Sequence, residues 1–393
     1  MIPLFKVFMA PTAKEEVGKV LDSGYIGQGF KVDEFEKQLG KYFGNEKVVT
    51  TNAGTSALHL ALHLLKKPKP HWHKVLHGAI VINHHWPGIE DGDEILATPL
   101  TCTASNWPIL ANNLKIKWVD IDPTTLNMDL EDLERKMTPK TKAIMGVHWG
   151  GYPLDLDKIR DIRNRFREKH GWTPSLIEDG AHAFGTKYKG KYLGNHGNFV
   201  MNSLQAIKHI TSVDGGLLYC PYDELYERAK LLRWYGIDRN PEGRTDFRCE
   251  ADIAEWGFKF HMNDVCAAVG IENFKHMDDI VGRHKENAAY YDKHLKGIEG
   301  VTLLKREEGF ESAFWIYSML VEDRAGFYEH MKHCNITVSQ VHERNDKHSC
   351  VSEFKVDLPN LEKTIGRVVN IPVGWWVTDE QREYIANCIK KGW

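Results

Sequence analysis

The sequence lacks the patterns that mark membrane-spanning, disulfide-rich and nucleic-acid-binding proteins. Its apolar runs all fall short of the roughly 18 residues that a membrane helix needs, and its first residues show only a short apolar run before charges appear, which predicts no export signal. Seven cysteines, an odd number without a CxxC pair, indicate reduced thiols rather than a disulfide framework or a zinc site. The net charge is -3, and 51 Lys+Arg are scattered among 54 Asp+Glu, so the chain has no basic patch for nucleic acid. We therefore expect a cytoplasmic protein that binds a small molecule, with no membrane or nucleic-acid partner.

What the sequence does contain is an alternation of two kinds of segment. The chain of 393 residues is 42% hydrophobic, which is enough for one large hydrophobic core and a smaller second one. Over its first half, short apolar runs such as KAIMGVHW alternate with amphipathic stretches such as LDKIRDIRNRFREKH. This alternation is typical of an α/β fold with a mostly parallel central sheet flanked by helices. The pattern changes after residue 221, so we predict a large domain at 1–245 and a smaller C-terminal α/β domain at 246–393.

Residues 66–88 form an insertion rich in proline and histidine between a predicted helix and the next strand. HxH spacing on a strand can chelate a metal ion. However, no cysteine or cluster of carboxylates completes a ligand set, and prolines interrupt both ends, so we predict a surface or dimer-contact loop and no metal site. The histidines concerned are His71, His73, His77, His84 and His85.

A phosphate site is suggested where a predicted strand meets a helix. The stretch KVVTTNAGTSALHLAL contains a short strand, a turn of small residues and a helix that begins at Gly54 and Thr55. Free backbone N–H groups and hydroxyls at a helix N-terminus bind phosphate, with help from the helix dipole. An ordinary helix cap made by Thr or Ser has the same appearance, so this motif leaves both interpretations open.

A second candidate group is a carboxylate at the end of a buried strand. In SLIEDGAHAFG the strand ends with Glu178 and Asp179, and the chain turns at once through Gly180. A buried carboxylate needs a positive partner, because burying it unpaired is costly. A structural ion pair, a loop cap and a functional acid all fit this pattern.

A third candidate is Lys208, in the stretch NSLQAIKHITSVDGG between two predicted strands. Most lysines are solvated charges, but a lysine in a cleft can form a Schiff base when desolvation or a nearby positive charge lowers its pKa. A phosphate-binding helix start, a strand-end carboxylate and a lysine, in this order, are the parts that hold pyridoxal phosphate. The three motifs together therefore predict a pyridoxal phosphate site.

The same motifs carry a resemblance to a known family. The run from Gly54 to Gly216, which includes GDEILATPLTCTASN and IEDGAHAFGTKYKGKYLGNHGN, resembles the DegT/StrS-type nucleotide-sugar aminotransferases in order and spacing. The resemblance covers almost the whole chain. It implies a fold-type-I pyridoxal phosphate enzyme, similar in fold to aspartate aminotransferase.

Carried over position by position, the resemblance implies a role for each motif. Lys208 would be the catalytic lysine that forms the Schiff base, and Asp179 would pair with the pyridine nitrogen of the cofactor. The phosphate would be held by Gly54, Thr55 and Ser203.

Three cofactor positions depart from the pattern of the relatives. His182 stands where relatives usually have Gln beside the phenolic oxygen of the cofactor, and its ring can also donate a hydrogen bond. Cys102 stands where they place an aromatic ring, so another residue such as Trp107 would have to cover that face of the cofactor. Lys259 stands where an asparagine of the neighbouring subunit reaches the phosphate, and it is either a phosphate ligand or a solvated lysine. The resemblance thus implies a homodimer with shared active sites.

The resemblance also implies the reaction. Glutamate would give its amino group to a nucleoside-diphosphate-linked keto-deoxy sugar, with a 4-keto-6-deoxy sugar favoured over a 3-keto sugar, and the amino sugar would serve a surface polysaccharide or glycan. Some relatives have histidine in place of the lysine and are dehydratases; Lys208 argues against that activity, although His209 stands beside it. A keto-cyclitol substrate and a non-catalytic regulatory protein on the same scaffold remain alternatives.

Several aromatic and basic residues are candidates for binding the sugar or the diphosphate. Each has an ordinary alternative, since an exposed arginine is usually solvated and a buried aromatic usually belongs to the core. These candidates are Tyr25, His148, Trp149, Tyr235, Arg239 and His342.

Overall fold

The computed structural model describes residues 1–67, 86–239, 246 and 252–393. The histidines considered as metal ligands, His71, His73, His77, His84 and His85, lie outside the described residues.

Among the helices of the described ranges, none is both long and apolar enough to span a membrane. The helices are α1 (Ala13–Asp22), α2 (Phe30–Phe43), α3 (Gly54–Leu64), α4 (Thr103–Ala111), α5 (Leu130–Lys136), α6 (Leu156–His170), α7 (Asp223–Leu232), α8 (Asp264–Phe274), α9 (Met277–His294), α10 (Arg324–His333), α11 (Pro359–Thr364) and α12 (Asp379–Lys390).

The strands form one large sheet and two small ones. They are β1 (Val48–Thr51), β2 (Glu94–Ala97), β3 (Lys115–Trp118), β4 (Thr141–Val147), β5 (Ser175–Asp179), β6 (Lys187–Tyr188), β7 (Lys191–Tyr192), β8 (Phe199–Ser203), β9 (Gly216–Tyr219), β10 (Val301–Leu303), β11 (Phe310–Glu311), β12 (Tyr317–Val321) and β13 (Val368–Ile371). Within the described residues, seven strands make up the large sheet, in the order β1-β9-β8-β5-β4-β2-β3.

The large sheet is mostly parallel. Strands β3, β2, β4, β5 and β8 pair in parallel, while β9 pairs antiparallel with both β8 and β1. Since β9 opposes both of its neighbours, β1 runs in the same direction as β8. The carboxyl ends of β1, β2, β4, β5 and β8 therefore share one edge of the sheet.

Alternate residues of these strands enter two hydrophobic clusters, one on each face of the sheet. In β4, Ala143 and Met145 belong to the cluster that includes α3, whereas Ile144 belongs to the cluster that includes α2 and α6. Side chains alternate along a strand, so a sheet covered by helices on both faces needs apolar residues at every position. This explains the continuous apolar runs of the sequence, and the predicted α/β fold is confirmed.

Helix α7 ends at a change of backbone conformation. It covers only the first part of the stretch YDELYERAKLLRWYGIDR and ends at Leu232. Tyr235 has φ 63° and Gly236 has φ 83°, both in the left-handed region that a right-handed helix cannot use. The chain therefore turns away from the helix axis at these two residues.

A smaller sheet lies in the C-terminal part of the chain. Strands β10, β12 and β13 pair antiparallel in that order, and their residues Tyr317, Met319 and Val369 join a cluster with Phe327 of α10. By contrast, α8 packs with α2 in a cluster of the large sheet. The division of the chain into domains at residue 245 stays a prediction.

Candidate active site

A cavity of about 680 Å³ opens at the edge of the large sheet where the carboxyl ends of β1, β2, β4, β5 and β8 meet. In open α/β sheets, ligands bind outside this edge, and a volume of this size suits a small molecule. Further parts of the wall come from residues 3–5 near the N-terminus and from the C-terminal part, where Trp315, Thr337, Ser339, Val341 and His342 line the cavity. The cavity thus lies between the large sheet and segments from the N-terminal and C-terminal parts of the chain.

This cavity brings together most of the residues predicted to hold a cofactor, although they come from many separate elements. Their shared location is an observation, while their individual roles stay predictions. The predicted residues that line it are Gly54, Thr55, Cys102, Asp179, His182, Ser203 and Lys208, together with the substrate candidate His342.

The first turn of α3 forms one wall of the cavity. Its N-cap residue, Ala53, makes no side-chain capping bond, so the first backbone N–H groups of the helix remain available to a ligand. A Cβ at Gly54 would lie 3.0 Å from the Sδ of Met201 and 3.2 Å from the Cβ of Ser203. Glycine therefore lets the helix start approach β8, where Thr55 and Ser203 add two hydroxyls to the cavity wall. These groups suit a phosphate.

Asp179 ends β5 and lines the cavity. Its Oδ1 accepts a hydrogen bond of 3.0 Å from the N–H of Ala181, and the hydroxyl of Ser105 donates to the same carboxylate. Burial raises the pKa of the Asp179 carboxyl, while these two hydrogen bonds and the charge of Lys208 act in the opposite direction. The carboxylate is thus oriented by the protein, and a positively charged ligand atom would stabilise its ionised form.

The neighbouring Glu178 does not line the cavity. Its carboxylate bonds the ring of His148 at 3.0 Å and accepts from the side-chain amide of Asn198 at 2.8 Å. Successive side chains of a strand point to opposite faces, so the two adjacent acids have different surroundings. Of the alternatives that the sequence left open for these two acids, the structural pairing is therefore the one that Glu178 makes.

Lys208 follows β8, and its half-buried side chain lines the cavity. The Nζ atom lies 3.7 Å from the centroid of the Trp315 ring. Burial lowers the pKa of the Lys208 amine to about 8, against the attraction of Asp179 and Cys102. An amine with this pKa is partly neutral near neutral pH, so it can act as a nucleophile or a base. The Lys208 amine is therefore partly desolvated, which is the condition under which a lysine in a cleft can form a Schiff base.

His182 and His342 form a hydrogen-bonded pair in the cavity wall. Their Nε2 atoms are 3.2 Å apart, and the N–H of Gly150 donates to Nδ1 of His182 at 3.4 Å. With Nδ1 as an acceptor, the neutral His182 ring carries its proton on Nε2. Burial, with the charge of Lys208, lowers the pKa of both imidazoles, that of His342 to about 3. His182 therefore has a ring N–H to donate, and His342 accepts it in this structure.

Two substrate candidates lie beneath the cavity wall. His148 is fully buried, and besides its bond to Glu178 it accepts from the N–H of Leu154 at 3.0 Å. Trp149 is also buried, and its Nε1–H donates to the hydroxyl of Ser318 at 3.0 Å. Neither residue lines the cavity, and their polar atoms are bonded inside the core, so a contact of either residue with substrate is not observed and stays a prediction.

The remaining candidates lie outside the cavity of their own chain. Arg239 donates to a backbone carbonyl at 2.7 Å, and its guanidinium lies over the ring of Trp234. The side chains of Tyr25, Tyr235 and Lys259 are exposed to solvent. A role for any of these residues at an active site requires a second subunit and stays a prediction.

Sequence reasoning missed Trp315, Phe5 and Ser105, which also line the cavity. The Trp315 ring stacks on His182 with centroids 4.0 Å apart and on Phe5 with centroids 5.0 Å apart. Trp107, considered as a cover for the cofactor, instead lies against the ring of His348 and does not line the cavity. Trp315 lies just before β12, and no local sequence pattern indicated its contact with Lys208.

The donor set of the cavity fits pyridoxal phosphate. The uncapped helix start suits the phosphate, and glycine at position 54 lets that helix start lie close to β8. The Asp179 carboxylate suits a protonated pyridine nitrogen, the Nε2–H of His182 suits the phenolic oxygen, and the Lys208 amine suits the aldehyde carbon.

Comparisons with known proteins cover almost the whole chain. A family model described as the DegT/DnrJ/EryC1/StrS aminotransferase family matches residues 9–71 and 77–390. The crystal structure of AtS13 from Actinomadura melliaura is 47% identical with a TM-score of 0.92, and the match covers 100% of this chain and 99% of that one. The sugar aminotransferase CalS13 from Micromonospora echinospora is 43% identical with a TM-score of 0.91 over 100% of both chains. The GDP-perosamine synthase of Escherichia coli O157:H7 is 30% identical, covering 99% of this chain and 98% of its own.

Proposed function

The chain belongs to the DegT/DnrJ/EryC1/StrS aminotransferase family, and from this premise we propose that it transfers the amino group of glutamate to a nucleoside-diphosphate-linked keto-deoxy sugar. Membership makes it a fold-type-I, pyridoxal phosphate-dependent sugar aminotransferase. The name of the E. coli relative joins a nucleotide, GDP, to the sugar perosamine, which supports a nucleotide-linked substrate. We favour a 4-keto-6-deoxy sugar over a 3-keto sugar, and a cytoplasmic reaction whose amino sugar enters a surface polysaccharide or glycan.

The observation that carries this proposal is the convergence of three unlike groups in one cavity: the uncapped start of α3, the carboxylate of Asp179 and the amine of Lys208. When bound, pyridoxal phosphate supplies an electron sink for the charge left on a substrate carbon after proton removal. We assign Lys208 to hold the cofactor and, once its amine is free, to move that proton. Asp179 would keep the pyridine nitrogen protonated, and the Nε2–H of His182, which His342 accepts in this structure, would be donated to the phenolic oxygen instead. His342 lines the cavity beside His182, so we assign it to the sugar side.

A panel of ketones tests the choice of substrates. We expect isotope-labelled glutamate to pass its nitrogen to one or more of the UDP-, GDP- and dTDP-linked keto-deoxy sugars, because the family is one of sugar aminotransferases. Mass spectrometry detects the labelled amine, and NMR of the product distinguishes carbon 4 from carbon 3. Activity on a free keto-cyclitol without activity on any nucleotide sugar would contradict the proposal that the acceptor is a nucleotide-linked sugar. Faster transfer from another amino acid would overturn glutamate as the donor.

We further propose that the enzyme is a homodimer with shared active sites. Large apolar side chains are exposed on its described surface, among them Trp256 at 63% and Phe30 at 57%, and such side chains are common at interfaces. Lys259 is exposed and does not line the cavity of its own chain. Contact between its amine and a cofactor phosphate therefore requires the cavity of a second subunit.

Mixing two impaired variants tests the shared site. We expect Lys208→Ala to be inactive and Lys259→Ala to bind the cofactor about tenfold more weakly, since a charged contact to phosphate is lost. After subunit exchange, and at a cofactor concentration too low to load the Lys259→Ala homodimer, a mixture of the two would regain about a quarter of the wild-type activity, because about half of the dimers are hybrids and each hybrid has one intact site. Sedimentation equilibrium checks that dimers form. Exchanged dimers that stay inactive would place Lys259 in its own subunit's site, whereas a Lys259→Ala variant that binds the cofactor like the wild type would place it outside both sites.

A further inference from the structure

Trp315 contacts both the amine of Lys208 and the backbone of the residue before it. Its indole is buried, and the Nζ of Lys208 lies 3.7 Å from the ring centroid. Its Nε1–H donates at 2.9 Å to the carbonyl of Ile207, the residue just before the lysine. The ring therefore touches the amine and is also anchored to the backbone from which the lysine extends.

Further hydrogen bonds hold residues 313–315, the segment that ends in the tryptophan. His209, the residue just after the lysine, donates from Nε2 to the carbonyl of Ala313 at 3.0 Å. His284 of α9 donates from Nδ1 to the carbonyl of Phe314 at 2.7 Å. Burial lowers the pKa of both imidazoles, so each keeps a single proton for its carbonyl. The segment that ends in the tryptophan is thus bonded to the residues before and after the lysine.

The proposed reaction requires the lysine amine to be free for part of each cycle. A free ammonium in this cavity is attracted to the carboxylate of Asp179, which the proposed function reserves for the pyridine nitrogen. The face of an indole attracts a desolvated ammonium through its quadrupole. The indole face has no lone pair that would compete for the proton of the ammonium. The Lys208 amine can therefore give up its proton and move away from the ring.

We propose that Trp315 is a positioning residue for Lys208: its indole face holds the ε-ammonium whenever the amine is free, and its bond to Ile207 keeps ring and lysine aligned. The inference rests on the proposed function of Lys208, but it concerns an amine that can be measured without the cofactor. The other titratable groups around the amine or lining the cavity are Asp179, Cys102, His182, His209, Asp214 and His342.

The test measures the pKa of the Lys208 amine in the full-length chain freed of cofactor. Acylation by an amine reagent is followed across pH, with the Lys208 peptide quantified by mass spectrometry. Trp315→Met removes the ring face, and we expect the pKa of Lys208 to fall by about one unit, the size of a desolvated cation–π contact. Trp315→Phe keeps a ring face, so we expect less than half of that shift.

Trp118→Met is the matched control, because Trp118 is an equally buried tryptophan of β3 outside the cavity. It removes the same ring, and we expect the pKa of Lys208 to stay unchanged. In the cofactor-loaded enzyme, Trp315→Met should lower kcat about tenfold with an unchanged KM for the sugar, as expected when a residue acts on the catalytic amine and not on substrate binding. If loss of core packing alone were responsible, Trp315→Met and Trp118→Met would change the pKa of Lys208 and kcat to the same extent.

Fluorinated tryptophan gives a second measurement in the wild-type sequence, since fluorine weakens the negative face of the ring with little change in shape. We expect the pKa of Lys208 to fall stepwise with the number of fluorines. An unchanged pKa in this series, or equal shifts in Trp315→Met and Trp118→Met, would overturn the inference. The proposed function fails separately if added pyridoxal phosphate does not protect wild-type Lys208 from acylation.

Discussion

Replacing Lys208 with alanine is expected to lower kcat by at least about 10³-fold, because proton transfer by a positioned side chain alone contributes about 10²–10⁴ and the covalent link to the cofactor is lost as well. The phosphate and pyridine contacts would remain, so the cofactor would still bind, but more weakly. Single-turnover assays measure the rate, and the visible absorbance of the bound cofactor reports the lost link.

The lowered pKa of Lys208 adds a pH dependence to this prediction. Attachment of pyridoxal phosphate needs the neutral amine, so its rate should rise with pH and level off above a pKa of about 8. If the pKa of the lysine were ordinary, the rate of attachment would keep rising until the pH reached about 10.4. Stopped-flow absorbance at a series of pH values distinguishes the two profiles.

A lysine on the surface serves as the control. Lys332 of α10 has a side chain that is 77% exposed and does not line the cavity, so Lys332→Ala should bind the cofactor and turn over like the wild type. If Lys208→Ala kept both its turnover and its visible absorbance, a different lysine would have to hold the cofactor. His209 would not replace it, because its Nε2 is bonded to the carbonyl of Ala313.

Replacing Asp179 with asparagine is expected to lower kcat by about 10²–10³-fold, the effect of removing one preorganised electrostatic group from an active site. Asparagine keeps the shape of the side chain and an oxygen that can accept from the N–H of Ala181. It lacks the negative charge that would hold a proton on the pyridine nitrogen. The cofactor should therefore stay bound while turnover falls, which absorbance and steady-state kinetics measure separately.

The adjacent acid provides a matched control for this substitution. Glu178→Gln removes a negative charge from the same strand, but on the side where Glu178 bonds His148 and Asn198. We expect it to lower the melting temperature, because a buried pair is broken, and to leave kcat per folded molecule close to wild type. Equal losses of kcat in the two variants would show that the charge acts through the fold, and an unchanged kcat in Asp179→Asn would remove Asp179 from the reaction.

Much of the candidate site could be predicted because each part has a local signature. Gly54 begins a helix directly after a strand, Asp179 ends a strand, and Lys208 lies in the loop after another strand. In a parallel sheet such positions meet at one edge, so the order of elements already placed these residues near each other. The order of the three motifs predicted pyridoxal phosphate, and the resemblance to a family then added a role for each residue.

The residues that sequence reasoning missed or misplaced lack such a signature. Trp315 reaches the cavity from the C-terminal part, and Phe5 reaches it from the N-terminus. His148 and Trp149 follow β4 much as Asp179 ends β5, yet their polar atoms are bonded inside the core. Burial and long-range contact depend on how whole elements pack, which hydrophobic periodicity does not encode.

By itself, therefore, the sequence determined the α/β fold, the pyridoxal phosphate chemistry and the three principal candidate contacts with the cofactor, because these follow from strand and helix patterns and from motifs in a specific order. Only the tertiary structure decided that an indole face meets the amine of Lys208 and that His182 donates to His342. Both contacts form where the C-terminal part of the chain packs against the large sheet, and the position of one segment against another is set by packing and not by local sequence.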